Sequence, residues 1–288
     1  DISGNSSELL SASIPVNLYK VASVDVSGNY TVTDAFTGLD LSSVSADDLD
    51  AAAATWAARA AEAKKLLTDD TEPTTVTLTQ GRGTATGLKT GLYLVDTPKV
   101  STPNYTYTFT PYLVSLPTNN YYNNDQTSDD WIYDLTKEYN SAVGLKPEQH
   151  VRYGKLVINK ELEDHNATFG DKATFVFQID ITTPDNKKET RIEELTFDAA
   201  GSHSVTIEKI PAGSHVTVTE VYSGASYELA SAKSQETDII ANPEKKSEVE
   251  FRPAEVSFIN KHEGRTNGGY GIRNNFKLDE TDQYQYTK

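Results

Sequence analysis

The chain is dominated by short stretches in which apolar and polar positions alternate, the pattern of strands with one buried face. Ile14-Pro15-Val16-Asn17-Leu18-Tyr19-Lys20-Val21 alternates in this way, and Ser27-Gly28-Asn29 supplies a turn before Tyr30-Thr31-Val32, so residues 12–35 read as two strands. The period then changes. Ser45-Ala46-Asp47-Asp48 has the form of a helix start, with acidic residues where the helix dipole favours them, and an Ala-rich run follows to Leu67. A helix is therefore predicted at about 46–67, with Arg59, Glu62, Lys64 and Lys65 marking an exposed face. Strands resume at Thr75–Leu78, Gly91–Val95 and Tyr105–Leu116. Asn119–Asp130 is a polar loop, Trp131–Thr136 a closing strand, and residues 141–153, with Pro147, a hinge between two domains.

Beyond the hinge the alternation is cleaner. Strand-like runs occupy Lys155–Leu162, Thr174–Ile181, Arg191–Phe197, Ser202–Ile207, His215–Tyr222, Tyr227–Lys233 and Glu248–Lys261. Turn signals such as Pro184-Asp185-Asn186 and Pro211-Ala212-Gly213 separate them. Many short strands at regular intervals predict an antiparallel β-sandwich, and Gly268–Lys288 is one more strand or a tail. The fold class is thus all-β, in two tandem sandwich domains at 1–148 and 149–288, the first carrying one inserted helix.

Three polar residues break the alternation. In Lys155–Leu162, Lys160 shares a face with Leu156, Ile158 and Leu162; in His215–Tyr222, Glu220 shares one with Val216, Val218 and Tyr222; in Glu255–Lys261, Asn260 follows Val256 and Phe258. Each strand aims one polar side chain at the core. Separately buried, these groups are costly. If they converge, desolvation lowers the Lys pKa and raises the Glu pKa. A neutral Lys160 amine can then attack the Asn260 side-chain carbonyl while Glu220 relays protons and ammonia leaves, giving an amide cross-link that no reductant reverses. Two plainer readings stand beside this one: side chains that snorkel to solvent, and a buried Lys–Glu pair with Asn as a hydrogen-bond partner.

Composition narrows the setting. With 42 acidic against 26 basic residues the net charge is −16, which disfavours nucleic acid and anionic membranes as partners. No apolar run is long enough to span a bilayer and no signal peptide stands at Asp1, so the chain reads as a mature or trimmed ectodomain. It has no Cys, so a secreted β protein of this kind must find its staples elsewhere. The five His residues lack metal-ligand spacing, Gly81-Arg82-Gly83 lacks the rest of a phosphate loop, and Asp125–Asp130 lacks an ordered calcium-loop pattern. No nucleophile elbow or paired-carboxylate cleft is visible, so neither a turnover enzyme nor a cofactor is expected.

Residues 155–261 resemble a Cna protein B-type domain, the repeating unit of Gram-positive pilins and collagen-adhesin stalks. The resemblance is carried by Leu156-Val157-Ile158-Asn159-Lys160, Val216-Thr217-Val218-Thr219-Glu220 and Val256-Ser257-Phe258-Ile259-Asn260. It implies an immunoglobulin-like sandwich in which Lys160 and Asn260 form an isopeptide bond that Glu220 promotes. The tail Asn267-Gly268-Gly269-Tyr270-Gly271-Ile272 is similar to segments that follow this Asn in pilins. Val16–Val21, Thr90–Val95, Phe109–Pro117 and Trp131–Thr136 are similar to the N-terminal domain of the same pilins. The resemblance implies an extracellular, cell-wall or pilus location on a Gram-positive bacterium, with other pilin subunits and a pilin sortase as partners. An adhesin that holds a host protein or glycan on the same scaffold is the alternative.

The chain departs from the pilin pattern in two places. Asn140 stands where the pilin motif has the Lys that sortase joins to the next subunit, which leaves Lys137 and Lys146 as possible inter-subunit lysines. The Leu-Pro-x-Thr-Gly sorting signal is absent. Lys20, in phase with Val16 and Leu18, is a snorkelling lysine or a bond-former of the first domain.

Overall fold

The computed structural model describes residues 2, 6–25, 29–42, 49–116, 143–166, 172–224, 226–245, 250–264, 275–278 and 284–287. The chain is mostly β and divides into two compact units, Asp1–His150 and Val151–Lys288.

The first unit opens with a short helix, α1 (Ser7–Ser11), whose N-cap Ser6 side chain accepts from the Leu9 amide. Strands β1 (Ile14–Val24), β2 (Tyr30–Val32), β3 (Thr74–Leu78) and β4 (Gly91–Asp96) follow, with helix α2 (Leu49–Lys65) between β2 and β3. Then come β5 (Val100–Ser101), β6 (Tyr105–Phe109), β7 (Tyr112–Leu116) and β8 (Pro147–Val151). β2, β1, β4 and β7 lie in that order in one sheet, with β3 also paired to β1; β5, β6 and β8 form a second sheet. Between them Val16, Leu18, Tyr93 and Val95 pack with Tyr107 and Phe109. The first sheet is covered on its other face too, where Leu92 and Leu94 meet Ala60 and Ala63 of α2 and Phe36. This explains the unbroken burial of Gly91–Val95 in β4.

Four sequence expectations change here. The run 105–116 is two strands in different sheets, because Pro111 lacks the N–H that a continuous ladder needs. The hinge around Pro147 is instead strand β8, held beside β6 by Tyr107 Oη donating to Gln149 Oε1 at 3.3 Å and by a 3.0 Å Thr108–His150 hydrogen bond. Arg59 is buried rather than exposed: it donates to Ser42 Oγ at 3.2 Å, lies 3.7 Å from Asp40 and sits over the Trp56 ring. The helix expected at 46–67 is seen from Leu49 to Lys65, its residues 46–48 lying outside the described residues. So do the loop 119–130, the strand 131–136, Lys137 and Asn140.

In the second unit, β9 (Tyr153–Leu162), β10 (Ala173–Thr182), β11 (Lys188–Phe197), β12 (Gly201–Pro211) and β13 (His215–Tyr222) are followed by β14 (Tyr227–Leu229), β15 (Ser234–Asp238) and β16 (Ala254–His262). A C-terminal hairpin pairs β17 (Asn275–Leu278) with β18 (Tyr284–Thr287). One sheet runs β11-β10-β13-β15 and the other β12-β9-β16-β14. Their inner faces share Leu156, Ile158, Phe175, Phe177, Val218 and Phe258, all fully buried, each worth about 1.5–3 kcal/mol of transfer free energy.

The sandwich is not wholly antiparallel. β9 and β16, its first and last long strands, pair in parallel, with Lys160 opposite Phe258 and Leu162 opposite Asn260. Parallel neighbours need a long crossover, and the chain between Leu162 and Ala254 provides it. Gln235 holds the outer edge of β16 by bonding both backbone groups of Ser257, while Ser231 Oγ accepts from the Ile259 amide at 3.0 Å. β16 is thereby fixed along both edges. At the start of β9, Gly154 allows a close backbone approach: a Cβ there would lie 2.0 Å from the Ile240 carbonyl oxygen.

Candidate functional site

Lys160, Glu220 and Asn260 come from β9, β13 and β16, each in phase with the core-facing residues of its strand. Burial is nearly complete, at 1%, 1% and 0% exposure, which makes them the three least exposed members of an ionisable or amide type among the described residues. Parallel pairing puts Lys160 and Asn260 on one face of adjacent strands, two positions apart in register. Glu220 faces them from the opposite sheet, where it pairs with Phe177 of β10.

Glu220 and Asn260 are in direct contact, Asn260 Nδ2 donating to Glu220 Oε1 at 2.7 Å. The Asn260 main chain is pinned as well, its carbonyl accepting from the Glu163 amide at 2.9 Å. Lys160 is placed differently. Its Nζ donates to the Glu161 carbonyl oxygen at 2.6 Å and lies 4.4 Å from the centre of the Phe175 ring. Two polar atoms of the cluster, Glu220 Oε2 and Asn260 Oδ1, are buried without a hydrogen-bond partner. Each such atom costs about 1–3 kcal/mol, so the cluster is a net burden on stability in this arrangement.

Burial sets the electrostatics. Loss of solvent pushes the Lys160 ammonium down to about 8, with the Glu220 and Glu161 charges acting in the opposite direction. It also pushes the Glu220 carboxyl up; the Ser223 hydroxyl, without a well-formed bond to Oε2, the Asn260 amide and the Lys160 charge pull it back. Both shifts favour the neutral forms of the two groups over what they would be in water. Amide oxygen Oδ1, free of other donors, is the atom a protonated Glu220 would have to serve after a turn of the Asn260 amide.

Sequence reasoning singled out these three residues but not Phe175 or the Glu161 carbonyl, which hold the Lys160 amine. Phe175 is one of several core phenylalanines, and which of them faces Lys160 depends on register between sheets. Among the other sites, Lys20 is half-buried in a shallow cavity of about 240 Å³ lined by Leu18, Glu72, Thr74, Lys89 and Tyr93. Burial and then the Lys89 charge lower its pKa. Lys146 is exposed just before β8. Among the described residues no group of three His, Cys, Asp or Glu side chains is placed to hold a metal, and no helix is long and apolar enough to cross a membrane.

Residues 156–263 match the family model of a domain of unknown function, DUF5979, a span that contains all three cluster residues. No curated protein matches the chain. Pilins and adhesins are among the solved structures that match. GBS52, the minor pilin of Streptococcus agalactiae, is 15% identical over 91% of this chain and 87% of its own, with a TM-score of 0.24. A C-terminal fragment of the pilus adhesin SpaC of Lactobacillus rhamnosus GG is 12% identical over 91% and 94%, with a TM-score of 0.28. An adhesin of Mobiluncus mulieris containing intramolecular disulfide, isopeptide and ester cross-links is 12% identical over 87% and 83%, with a TM-score of 0.29.

Proposed function

We propose that this chain is a structural subunit of a Gram-positive cell-surface pilus whose second unit locks itself with a Lys160–Asn260 amide bond, promoted by Glu220. The observation that carries the reading is the convergence of three buried polar side chains from the first, a middle and the last long strand of one sandwich. The sequence runs that resemble pilins supply the setting.

The chemistry balances within the chain. Proton transfer from the Lys160 ammonium to the Glu220 carboxylate gives two neutral groups, a change that burial favours. The amine nitrogen attacks Asn260 Cγ as the Glu220 proton steadies the developing oxyanion at Oδ1. The nitrogen's surplus proton passes through Glu220 to Nδ2, the Cγ–Nδ2 bond breaks, and ammonia leaves. An amide remains between β9 and β16, and Glu220 is left carrying the one proton it took from the Lys160 ammonium. This happens once per molecule, so the chain is not a turnover enzyme and needs no cofactor. In a fibre, Lys146 and Lys137 are the two candidates for acyl transfer by a pilin sortase from a neighbouring subunit, and Lys146 is exposed.

Intact mass of the purified chain tests the bond. The wild type should be lighter than its sequence mass by one ammonia and Glu220→Ala should have its full mass. A wild type at full mass rejects the cross-link and leaves a buried polar cluster.

A further inference from the structure

The position of the Lys160 amine is not the one that the reaction needs. Its hydrogen bond goes to the Glu161 carbonyl oxygen and its charge rests on the Phe175 ring, while Asn260 is engaged with Glu220. We infer that Phe175 and the Glu161 carbonyl form a holding site that keeps Lys160 charged and apart from the Glu220–Asn260 pair, so that loss of one proton gates cross-linking. This rests on the proposed cross-link and adds its regulation.

The argument is one of complementarity. An aromatic face and a carbonyl oxygen both favour an ammonium and offer much less to a neutral amine. Phe175 is rigidly placed for this role. It is fully buried, with the Phe197 ring edge-on at 5.6 Å and Tyr227 also at 5.6 Å. The remaining groups around Lys160 do not compete for the amine. On β12, His203 lies opposite Lys160, but its ring stacks on Phe197 at 4.2 Å and its Nδ1 meets the Thr196 carbonyl oxygen at 2.9 Å. On β16 the neighbours are Phe258 and Asn260, both uncharged. Glu220 on β13 and the exposed Glu161 on β9 itself are the acidic groups whose charge reaches Lys160. Once deprotonated, the amine loses its attraction to the ring, keeps a lone pair, and is free to turn towards Asn260. The step is the loss of one proton to Glu220, followed by formation of the Nζ–Cγ bond and departure of ammonia as above.

Asn260→Ala leaves Lys160 with nothing to acylate it, so its titration can be followed directly by the Lys160 side-chain NMR shifts of the full chain. Adding Phe175→Leu to Asn260→Ala should lower the titration midpoint by about one pH unit, which from about 8 gives roughly fivefold more neutral amine at pH 7. In chain synthesised in vitro and folded at a series of pH values, Phe175→Leu alone should shift the pH profile of ammonia loss to lower pH by the same amount. A purely structural role for Phe175 would slow the reaction at every pH without moving the profile. Phe175→Met, apolar and ringless, repeats the test if the Leu variant does not fold. A midpoint that stays in place or rises overturns the holding site. A wild-type chain at full mass overturns the cross-link instead, and the midpoint in the Asn260→Ala pair still decides whether Phe175 holds the amine.

Discussion

Replacing Glu220 by Gln isolates the cross-link from the packing around it. Gln has the same shape and its side-chain oxygen can still accept from Asn260 Nδ2, now at 2.7 Å from Glu220 Oε1, but it cannot take the Lys160 proton. The bond would tie residue 160 to residue 260, closing a loop of about 100 residues. Chain-entropy arithmetic gives such a closure about 4.7 kcal/mol at 25 °C, because the unfolded chain loses that freedom whatever the chemistry of the link. The second unit spans Val151–Lys288. With an unfolding entropy of about 2.1 cal/mol/K per residue, the loss corresponds to a Tm lower by roughly 15–20 °C. The true shift should be at the upper end, since the variant also buries a lysine without a carboxylate nearby.

The assay is calorimetry of the full chain, following the transition of the second unit, with intact mass measured on the same samples. The wild type should be short by one ammonia and the variant should not. If both chains lose ammonia, Glu220 is not the proton relay. If only the wild type loses it and the two melt within about 3 °C, the loop-entropy reasoning fails and the bond has some other use.

Gly154→Ala should destabilise the second unit by about 2–3 kcal/mol, because the new methyl meets the Ile240 carbonyl oxygen at 2.0 Å and backbone must move; an unchanged urea midpoint would show that β9 gives way freely. His215 has its pKa raised, chiefly by the hydrogen bond to Asp238 at 2.8 Å and then by the Asp238 and Glu236 charges. Its contribution is therefore fully present below the unfolded value of 6.5 and lost as pH rises through the folded value, so the urea midpoint of the second unit should fall across that window and Asp238→Asn should flatten the fall; an NMR midpoint for His215 at or below 6.5 would refute this. Tyr107→Phe removes contacts to Ser6 at 2.9 Å and Gln149 at 3.3 Å and should cost the first unit about 1 kcal/mol, whereas a neutral result would mean that water replaces both.

What the sequence revealed and what it hid divide along a physical line. The phase of a residue within its strand is local information, and Lys160, Glu220 and Asn260 were legible because each falls on the apolar beat of an unbroken alternation. Proximity between strands is not local. That β9 and β16 run in parallel, with Asn260 two positions beyond the residue opposite Lys160, follows from a crossover of some ninety residues that no pattern within either strand encodes. The same limit hid Phe175, which reads like Phe177 until sheet-to-sheet register puts one of them under the lysine. β15, Ser-Gln-Glu-Thr-Asp, was invisible for a different reason: as an edge strand it is held by its backbone ladder to β13 and by Gln235 reaching Ser257, and needs no apolar residues to stay in place. Arg59 was misplaced because α2 meets the sheet through alanines, whose small side chains let a neighbouring arginine lie down along Trp56 instead of standing into solvent. Phase therefore picks out the three buried polar groups, while register decides how the Lys160 amine is held. A variant that slips β9 against β16 so that Lys160 stands opposite Val256 would keep every side chain on its present face and still part Lys160 from Asn260, then four positions away.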